Sequence, residues 1–303
     1  MIIQPPYLKP GDTIGIMCPA GYMSLDKAAR CIATLQSWGY HVETGKTLGS
    51  ASTNYFSGTD EERLSELQSM LDDKKIKAIL FARGGYGMGR IIDDIDFKKF
   101  LKKPKWLIGF SDITILHTHL YTNYKIASIH GPMAAAFNNG EDDSILSLKN
   151  ILQGKPATYT CEPDKDNTPG TAKGILIGGN LALLAHMIGT DSDYDTKNKI
   201  LFLEDIGEYL YNADRMLYQL KRSGKLKKLK GLIIGGFTDM KDTERPYGKT
   251  MREILVDITS DLDCPLCFDF PVSHGKENVA LKIGWTYRLA VNADTVTLSE
   301  ILV

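Results

Sequence analysis

The first half of the chain alternates short apolar runs with amphipathic ones, and that alternation limits the fold more than any other feature. TIGIMC reads as a buried strand ending in Pro19-Ala20-Gly21. Ser24 stands where a cap belongs for the helix LDKAARCIATLQSW, which stops at Gly39. YHVETG gives a second strand, and Thr59 and Glu62 have capping-box spacing for the helix DEERLSELQSMLDD. KAILFA is a third strand, running into RGGYG and a short helix, MGRIIDDI. WLIGF is a fourth, followed by a helix that opens at Ser111, and KIASIHGP supplies a fifth. Strands and helices alternating at this spacing predict βα units around a mainly parallel sheet.

Around residues 140–173 the character changes to polar residues, prolines and glycines, as in NNGEDDS and QGKPATYTCEPDKDNTPGTAK. Such a stretch reads as a connection between domains. The expected division is an N-terminal α/β domain over 1–150, a linker over 151–172 and a second domain over 173–303. In the second half GILIGG, KILFLED and GLIIGGF read as strands; NLALLAHMIG, ADRMLYQLKRSG and KTMREILVDITSDL read as helices. LCFDFPVS reads as extended, and the tail as a closing hairpin turning at Asn292-Ala293-Asp294. The basic run KRSGKLKKLK reads as a solvated helix end.

A chain of 303 residues can hold one large or two ordinary domains, and its 43% hydrophobic and 24% charged residues are those of a globular protein. With a formal net charge of -1, no global field points to a nucleic acid or an anionic membrane as partner. The N-terminal stretch lacks a basic region followed by an uninterrupted apolar one, so it reads as mature sequence. No apolar run approaches the roughly 20 residues needed to span a bilayer. Five cysteines at irregular spacing suit a reducing cytoplasm better than a disulfide framework. Only Cys264 and Cys267, in CPLC, have motif spacing; the strand-like FDFPV that follows makes them two small buried residues rather than a redox or zinc pair.

In parallel α/β sheets, ligands gather beyond the C-terminal ends of the strands. Three such ends stand out here. In GFSD, residues 109–112, a serine sits at a strand-to-helix corner. Its hydroxyl is exposed above the sheet there, and the helix N-terminus behind it favours developing negative charge. The same position suits an ordinary helix cap, and Ile113 occupies the last glycine of G-x-S-x-G. In RGGYG, residues 83–87, paired glycines let backbone approach another group and present an N–H to an oxyanion. The loop matches neither phosphate-binding glycine motif, and Arg83 could pair with a substrate carboxylate or with a neighbouring acid. In FLEDIGE, Glu204 follows an apolar strand, so its carboxylate needs a partner such as histidine; Asp205 and Glu208 compete. Of six histidines, His130 and His274 each end an extended segment and precede glycine, as a site-facing loop would; His186 reads as a core histidine.

Taken together, these segments resemble the LD-carboxypeptidases, also called muramoyltetrapeptide carboxypeptidases, a family of serine peptidases. LKPGDTIGIMCPAG, FSGTDEERLSELQSMLDD, ARGGYG, IGFSDIT, HGP, GGNL, LFLEDIGE and the late histidine loop follow in the family's order along almost the whole chain. The resemblance implies an N-terminal domain like class I glutamine amidotransferases, with a flavodoxin-like parallel sheet, and a C-terminal domain of swivelling β/β/α type. It implies Ser111 as nucleophile, Glu204 as triad acid, His274 as general base, and the backbone N–H groups of Asp112 and Gly85 as oxyanion hole, with Arg83 a candidate for binding substrate. It further implies release of terminal D-alanine from the L-centre of a diamino acid in murein tetrapeptides, with no cofactor and no metal, in a cytoplasmic homodimer that recycles cell-wall peptides. A relative of microcin-immunity type, cleaving peptidyl or aminoacyl nucleotides, is the alternative, and a non-catalytic two-domain binder of anions a more distant one. Two positions depart from the family's pattern: Ser273 precedes the histidine where glycine is usual, and Lys282 replaces a proline and would place a positive charge near the histidine loop.

Overall fold

The computed structural model describes residues 2–140 and 142–302. The chain divides into two compact units, Met1–Lys155 with Val279–Lys282, and Pro156–Asn278 with Ile283–Val303.

The first unit runs β1 (Thr13–Met17), α1 (Leu25–Ser37), β2 (His41–Thr44), α2 (Asp60–Asp72), β3 (Ile76–Phe81), β4 (Trp106–Gly109), α3 (Thr114–His119), β5 (Ser128–His130) and α4 (Asp143–Leu152). The strands lie in the order β2-β1-β3-β4-β5 with parallel pairing throughout, as the alternation predicts. This is the flavodoxin-like order, whose ligand crevice opens at the C-terminal ends of the strands where the winding reverses. That point lies between β1 and β3, and the segments leaving those two ends are Cys18–Gly21 and Ala82–Gly87. The core strands are apolar on both faces: Ile14, Ile16, Ile79, Leu80, Phe81, Leu107 and Ile108 are wholly buried.

Thr59 and Glu62 form a reciprocal capping box, as their spacing suggests. Ser24 holds the N-cap position of α1, yet its side chain makes no capping hydrogen bond. MGRIIDDI forms two tight 3-10 turns, Met88–Arg90 and Ile92–Asp94, in place of a helix; its glycine and its adjacent isoleucines disfavour a regular α-helix.

The second unit begins with β6 (Thr158–Cys161), β7 (Gly170–Asn180), α5 (Leu181–His186), β8 (Ile200–Ile206), α6 (Leu210–Arg222), β9 (Gly231–Thr238), α7 (Met251–Thr259) and β10 (Leu266–Cys267). After β11 (Leu281–Ile283) come β12 (Thr286–Val291) and β13 (Val296–Glu300). β11 joins the first unit's sheet beside β5. The second sheet has the order β10-β9-β8-β7-β12-β13-β6. From β7 to β10 its pairs are parallel; from β7 through β12 and β13 to β6 they are antiparallel. The hairpin read from the tail is β12–β13. Within 151–172, where composition suggests a connection, β6 pairs with β13 and Gly170 opens β7. The extended stretch LCFDFPVS supplies only the two residues of β10.

Candidate active site

The corner after β4 is strained. Ser111 has φ 63°, the left-handed region that a residue with a side chain occupies only at a cost of about 1–3 kcal/mol. It opens a 3-10 turn, Ser111–Ile113, whose N-cap position falls on Phe110, and no side chain caps that turn. The capping alternative therefore fails, and the serine sits as it would on a nucleophile elbow. Two contacts hold the strand end beneath it. Gly109 O accepts from the Gly131 N–H at 3.2 Å and from His117 Nε2 at 2.8 Å. A carbonyl only accepts, so Nε2 carries the ring hydrogen; full burial pushes His117 down to about 4, keeping it neutral.

RGGYG packs onto this corner. A Cβ added at Gly84 would lie 2.9 Å from Ser111 Cβ, 3.1 Å from its Oγ and 3.3 Å from the Asp112 nitrogen. Only a residue without a side chain lets the loop come so close. The Gly84 carbonyl accepts from the Gly21 N–H at 2.9 Å. Since the C=O and N–H of one trans peptide point in opposite directions, the Gly85 N–H faces away from Gly21. The Asp112 side chain is buried, and its Oδ2 accepts from the Met88 N–H at 2.7 Å. Burial pushes its carboxyl up to about 6, opposed by the Met88 N–H, the Arg63 guanidinium and the Gly87 N–H.

In the second unit, Glu204 and His274 meet. Glu204 is fully buried near the end of β8, and its Oε2 lies 2.6 Å from His274 Nδ1. An ionised carboxylate only accepts, so Nδ1 carries the hydrogen and Nε2 is the basic nitrogen. Oε1 of Glu204 is buried with no hydrogen-bond partner among the described residues. The two competitors are used elsewhere. Asp205 accepts from Asn180 Nδ2 and from the Ala182 and Ile206 N–H groups, anchoring the start of α5, and burial pushes it up to about 6. Glu208 accepts from Asn212 Nδ2 at 3.4 Å.

The glycine pair of LIIGGF explains how the histidine segment reaches β9. A Cβ at Gly235 would fall 2.1 Å from the Val272 carbonyl, and one at Gly236 2.5 Å from Ser273 Cβ. Ser273 itself shapes the loop: its Oγ donates to the Glu277 carbonyl at 2.8 Å and accepts from the Gly275 N–H at 2.9 Å. The serine thus closes a turn around His274 through its side chain.

Other candidates are resolved differently. His130 is wholly buried on β5, paired with Gly109, its ring against Phe110. His186 is exposed at the end of α5, not in a core, because the turn that ends the helix carries it to the surface. Arg83 is exposed and donates to the Tyr22 carbonyl at 2.6 Å. The sequence reads Lys282 as a charge near the histidine loop. It is fully buried, donates to the Tyr7 hydroxyl at 2.9 Å and lies 4.9 Å from that ring's centroid, within the first unit. Cys264 and Cys267 are buried, free thiols. Two residues gained no notice from their types alone, the Asp112 side chain and Arg63. The latter had a signal: it shares the buried stripe of α2 with Leu67, Met70 and Leu71, a charge where helical spacing calls for an apolar residue.

A doubly wound domain with a strained serine at a strand-to-helix corner, and a second domain with a buried carboxylate–histidine pair, contain the parts serine hydrolases use. Comparison with known proteins makes the class specific. The model of the LD-carboxypeptidase N-terminal domain matches residues 14–131, and that of the LD-carboxypeptidase C-terminal domain matches residues 173–289. A probable murein peptide carboxypeptidase of Bacillus subtilis is 38% identical over 287 residues, covering 93% of this chain and 89% of that protein. The murein tetrapeptide carboxypeptidase of Pseudomonas aeruginosa is 30% identical over 291 residues, covering 92% and 93%. Among solved structures, a muramoyltetrapeptide carboxypeptidase from Oxalobacter formigenes superposes with a TM-score of 0.85 at 32% identity, covering 95% of this chain and 98% of that one. The microcin C7 self-immunity protein shares the fold, with a TM-score of 0.87 at 22% identity over 99% of each chain. The chain belongs to the LD-carboxypeptidase family and is a carboxypeptidase. Among the described residues, no helix is long and apolar enough to cross a membrane.

Proposed function

We infer that the protein is a serine LD-carboxypeptidase that removes terminal D-alanine from the L-centre of a diamino acid in murein tetrapeptides. The observation that carries this reading is the left-handed Ser111 at a corner against which Gly84 packs. The Glu204–His274 contact and the murein peptides in the names of its relatives support it. Ser111 Oγ attacks the scissile carbonyl while His274 Nε2 takes its proton. The oxyanion that forms is held by the N–H groups of Asp112 and Gly85, each worth about 2.7–4 kcal/mol of the barrier. His274 then protonates the leaving D-alanine amine, and with the same nitrogen activates the water that releases the acyl group. Glu204 keeps the hydrogen on Nδ1 and stabilises the imidazolium. Arg83, exposed beside the glycine loop, is a candidate for the substrate's terminal carboxylate. In this reading the enzyme acts in the cytoplasm as a homodimer, on peptides returned from the cell wall.

The test is mass spectrometry of a murein tetrapeptide ending in D-alanine, incubated with the wild type and with Ser111→Ala, each with and without EDTA. Loss of one alanine by the wild type alone, unaffected by EDTA, is the expected result. An intact tetrapeptide with an aminoacyl-sulfamoyl adenylate cleaved would replace this substrate with a nucleotide conjugate.

A further inference from the structure

The peptide unit joining Gly87 and Met88 is gripped at both ends by buried charges. Its carbonyl accepts from Arg63 Nη1 at 3.2 Å, and its N–H donates to Asp112 Oδ2 at 2.7 Å. Both side chains are fully buried. Burying a charge is unfavourable unless it is paired and hydrogen-bonded, so two of them on one loop peptide call for a reason. Arg63 adds reach. The same Nη1 donates to the Pro19 carbonyl at 2.5 Å, Nε donates to the Gly58 carbonyl at 3.4 Å, Nη2 pairs with Asp60, and the guanidinium lies 5.0 Å from the Phe56 ring centroid. It therefore ties the segment after β1 to the segment after β3.

The peptide needs holding. Gly87 has φ 154° and ψ -24°, a backbone open to glycine, and a glycine-flanked peptide can turn over with little steric resistance. Turning this plane would drag the residues before it, including Gly84, which lies against Ser111, and Gly85. Asp112 makes the connection direct. Its backbone N–H is one proposed oxyanion donor, and its carboxylate holds the loop that presents the other.

On the reading of Ser111 as nucleophile, we propose that Arg63 and Asp112 are positioning residues that clamp the Gly87–Met88 peptide and so hold the glycine loop in register with the serine. Neither side chain touches substrate. Their effect falls on the chemical step rather than on binding.

The test uses the full chain and compares wild type with Asp112→Ala, Asp112→Asn, Arg63→Met and Arg63→Lys. Release of D-alanine gives kcat and KM, and a fluorophosphonate probe reports the rate at which Ser111 is captured. The clamp requires Asp112→Ala and Arg63→Met to lower kcat roughly 10- to 100-fold with KM within about threefold, and to slow capture equally. Asp112→Asn keeps an oxygen that accepts the Met88 N–H and should recover most of the loss; Arg63→Lys puts its donors on a single nitrogen, which cannot span the Gly58, Pro19 and Gly87 carbonyls and Asp60 as the fork does, and should not. Folded Asp112→Ala and Arg63→Met proteins with wild-type kcat and capture rate would overturn the positioning role. Should those variants fail to fold, wild-type amide exchange decides: the clamp demands a protected Met88 N–H, and exchange as fast as that of exposed loops overturns it. A wild type that neither releases D-alanine nor takes the probe would instead remove the nucleophile reading, and the clamp's role with it.

Discussion

Gly84→Ala adds one carbon where the glycine loop meets the serine, and it does so without straining the loop's own backbone. Gly84 lies outside the left-handed region, so alanine can adopt its conformation. The cost is therefore confined to the contact. The new carbon would sit 2.9 Å from Ser111 Cβ and 3.1 Å from Oγ, whereas carbon atoms rest at about 3.5–4.0 Å. Loop and serine must part by roughly 0.6 Å or more along that direction. Displacements approaching 1 Å at reacting groups cost about 100-fold, or ~2.7 kcal/mol of barrier. We expect kcat/KM for D-alanine release to fall by about that factor, with fluorophosphonate capture of Ser111 slowed to match and the urea midpoint moved little. A folded Gly84→Ala enzyme within about threefold of wild type in both assays would refute the argument that this contact sets the serine's position.

The remaining expectations concern the serine, the acid and a buried carboxyl. Ser111→Gly and Ser111→Ala both remove the hydroxyl and should abolish D-alanine release; by urea denaturation the glycine form should be the more stable by about 1 kcal/mol, because φ 63° strains alanine only. Equal stabilities would deny the strain. Glu204→Gln offers His274 an amide in place of a carboxylate, which favours the wrong tautomer, so kcat should drop roughly 10²- to 10⁴-fold with KM nearly unchanged. Retained kcat would remove Glu204 from the mechanism. Asp205 has its carboxyl raised from 3.8 to about 6 by burial, so the folded form holds a proton that the unfolded chain has lost between those values. Wild-type stability from this group is present at low pH and lost as pH rises through the window. Asp205→Asn lacks that dependence, so its unfolding free energy relative to wild type, from urea denaturation at pH 4 and pH 7, should shift in the variant's favour by on the order of 2–3 kcal/mol at the higher pH. A gap that does not move with pH would contradict the raised carboxyl.

The parallel sheet of the first unit was legible because each βα unit is written locally. An apolar run buried on both faces, a turn and an amphipathic stripe need no knowledge of distant partners. Glu204 was legible only in part: a carboxylate at the end of an apolar strand must find a partner, but Asp205 and Glu208 competed for the role and His130 stood beside His274, so the choice of this pair rested on the family resemblance. Long-range pairing was not. β6 lies in a polar, proline-containing stretch whose composition reads as linker, and only its register with β13 makes it a strand. β11 returns to the first sheet from deep in the second half, and nothing within those three residues announces it. Lys282, read as a charge beside the histidine, is on that returning strand, and its direction was decided by the pairing of β11 with the first sheet.

Ser111 shows why a local reading of the same residue had to stay divided. Capping and nucleophilic roles ask for the same residue type at the same place, and they separate only in φ, which composition does not carry. A left-handed serine persists only where its surroundings over-determine it. Here the strand end below it is held by the His117 ring and the Gly131 N–H, and the residue after it is anchored through the Asp112 carboxylate to Met88. Each restraint comes from a different segment: the helix that follows the serine, the turn after β5, and the loop after β3. A cap would need none of them, since it is satisfied within its own first turn. In the role proposed for Ser111, a hydroxyl that must meet a carbonyl at one angle needs all three, and on that reading the buried neutral His117 and the buried Asp112 have a purpose that helix formation alone leaves unexplained.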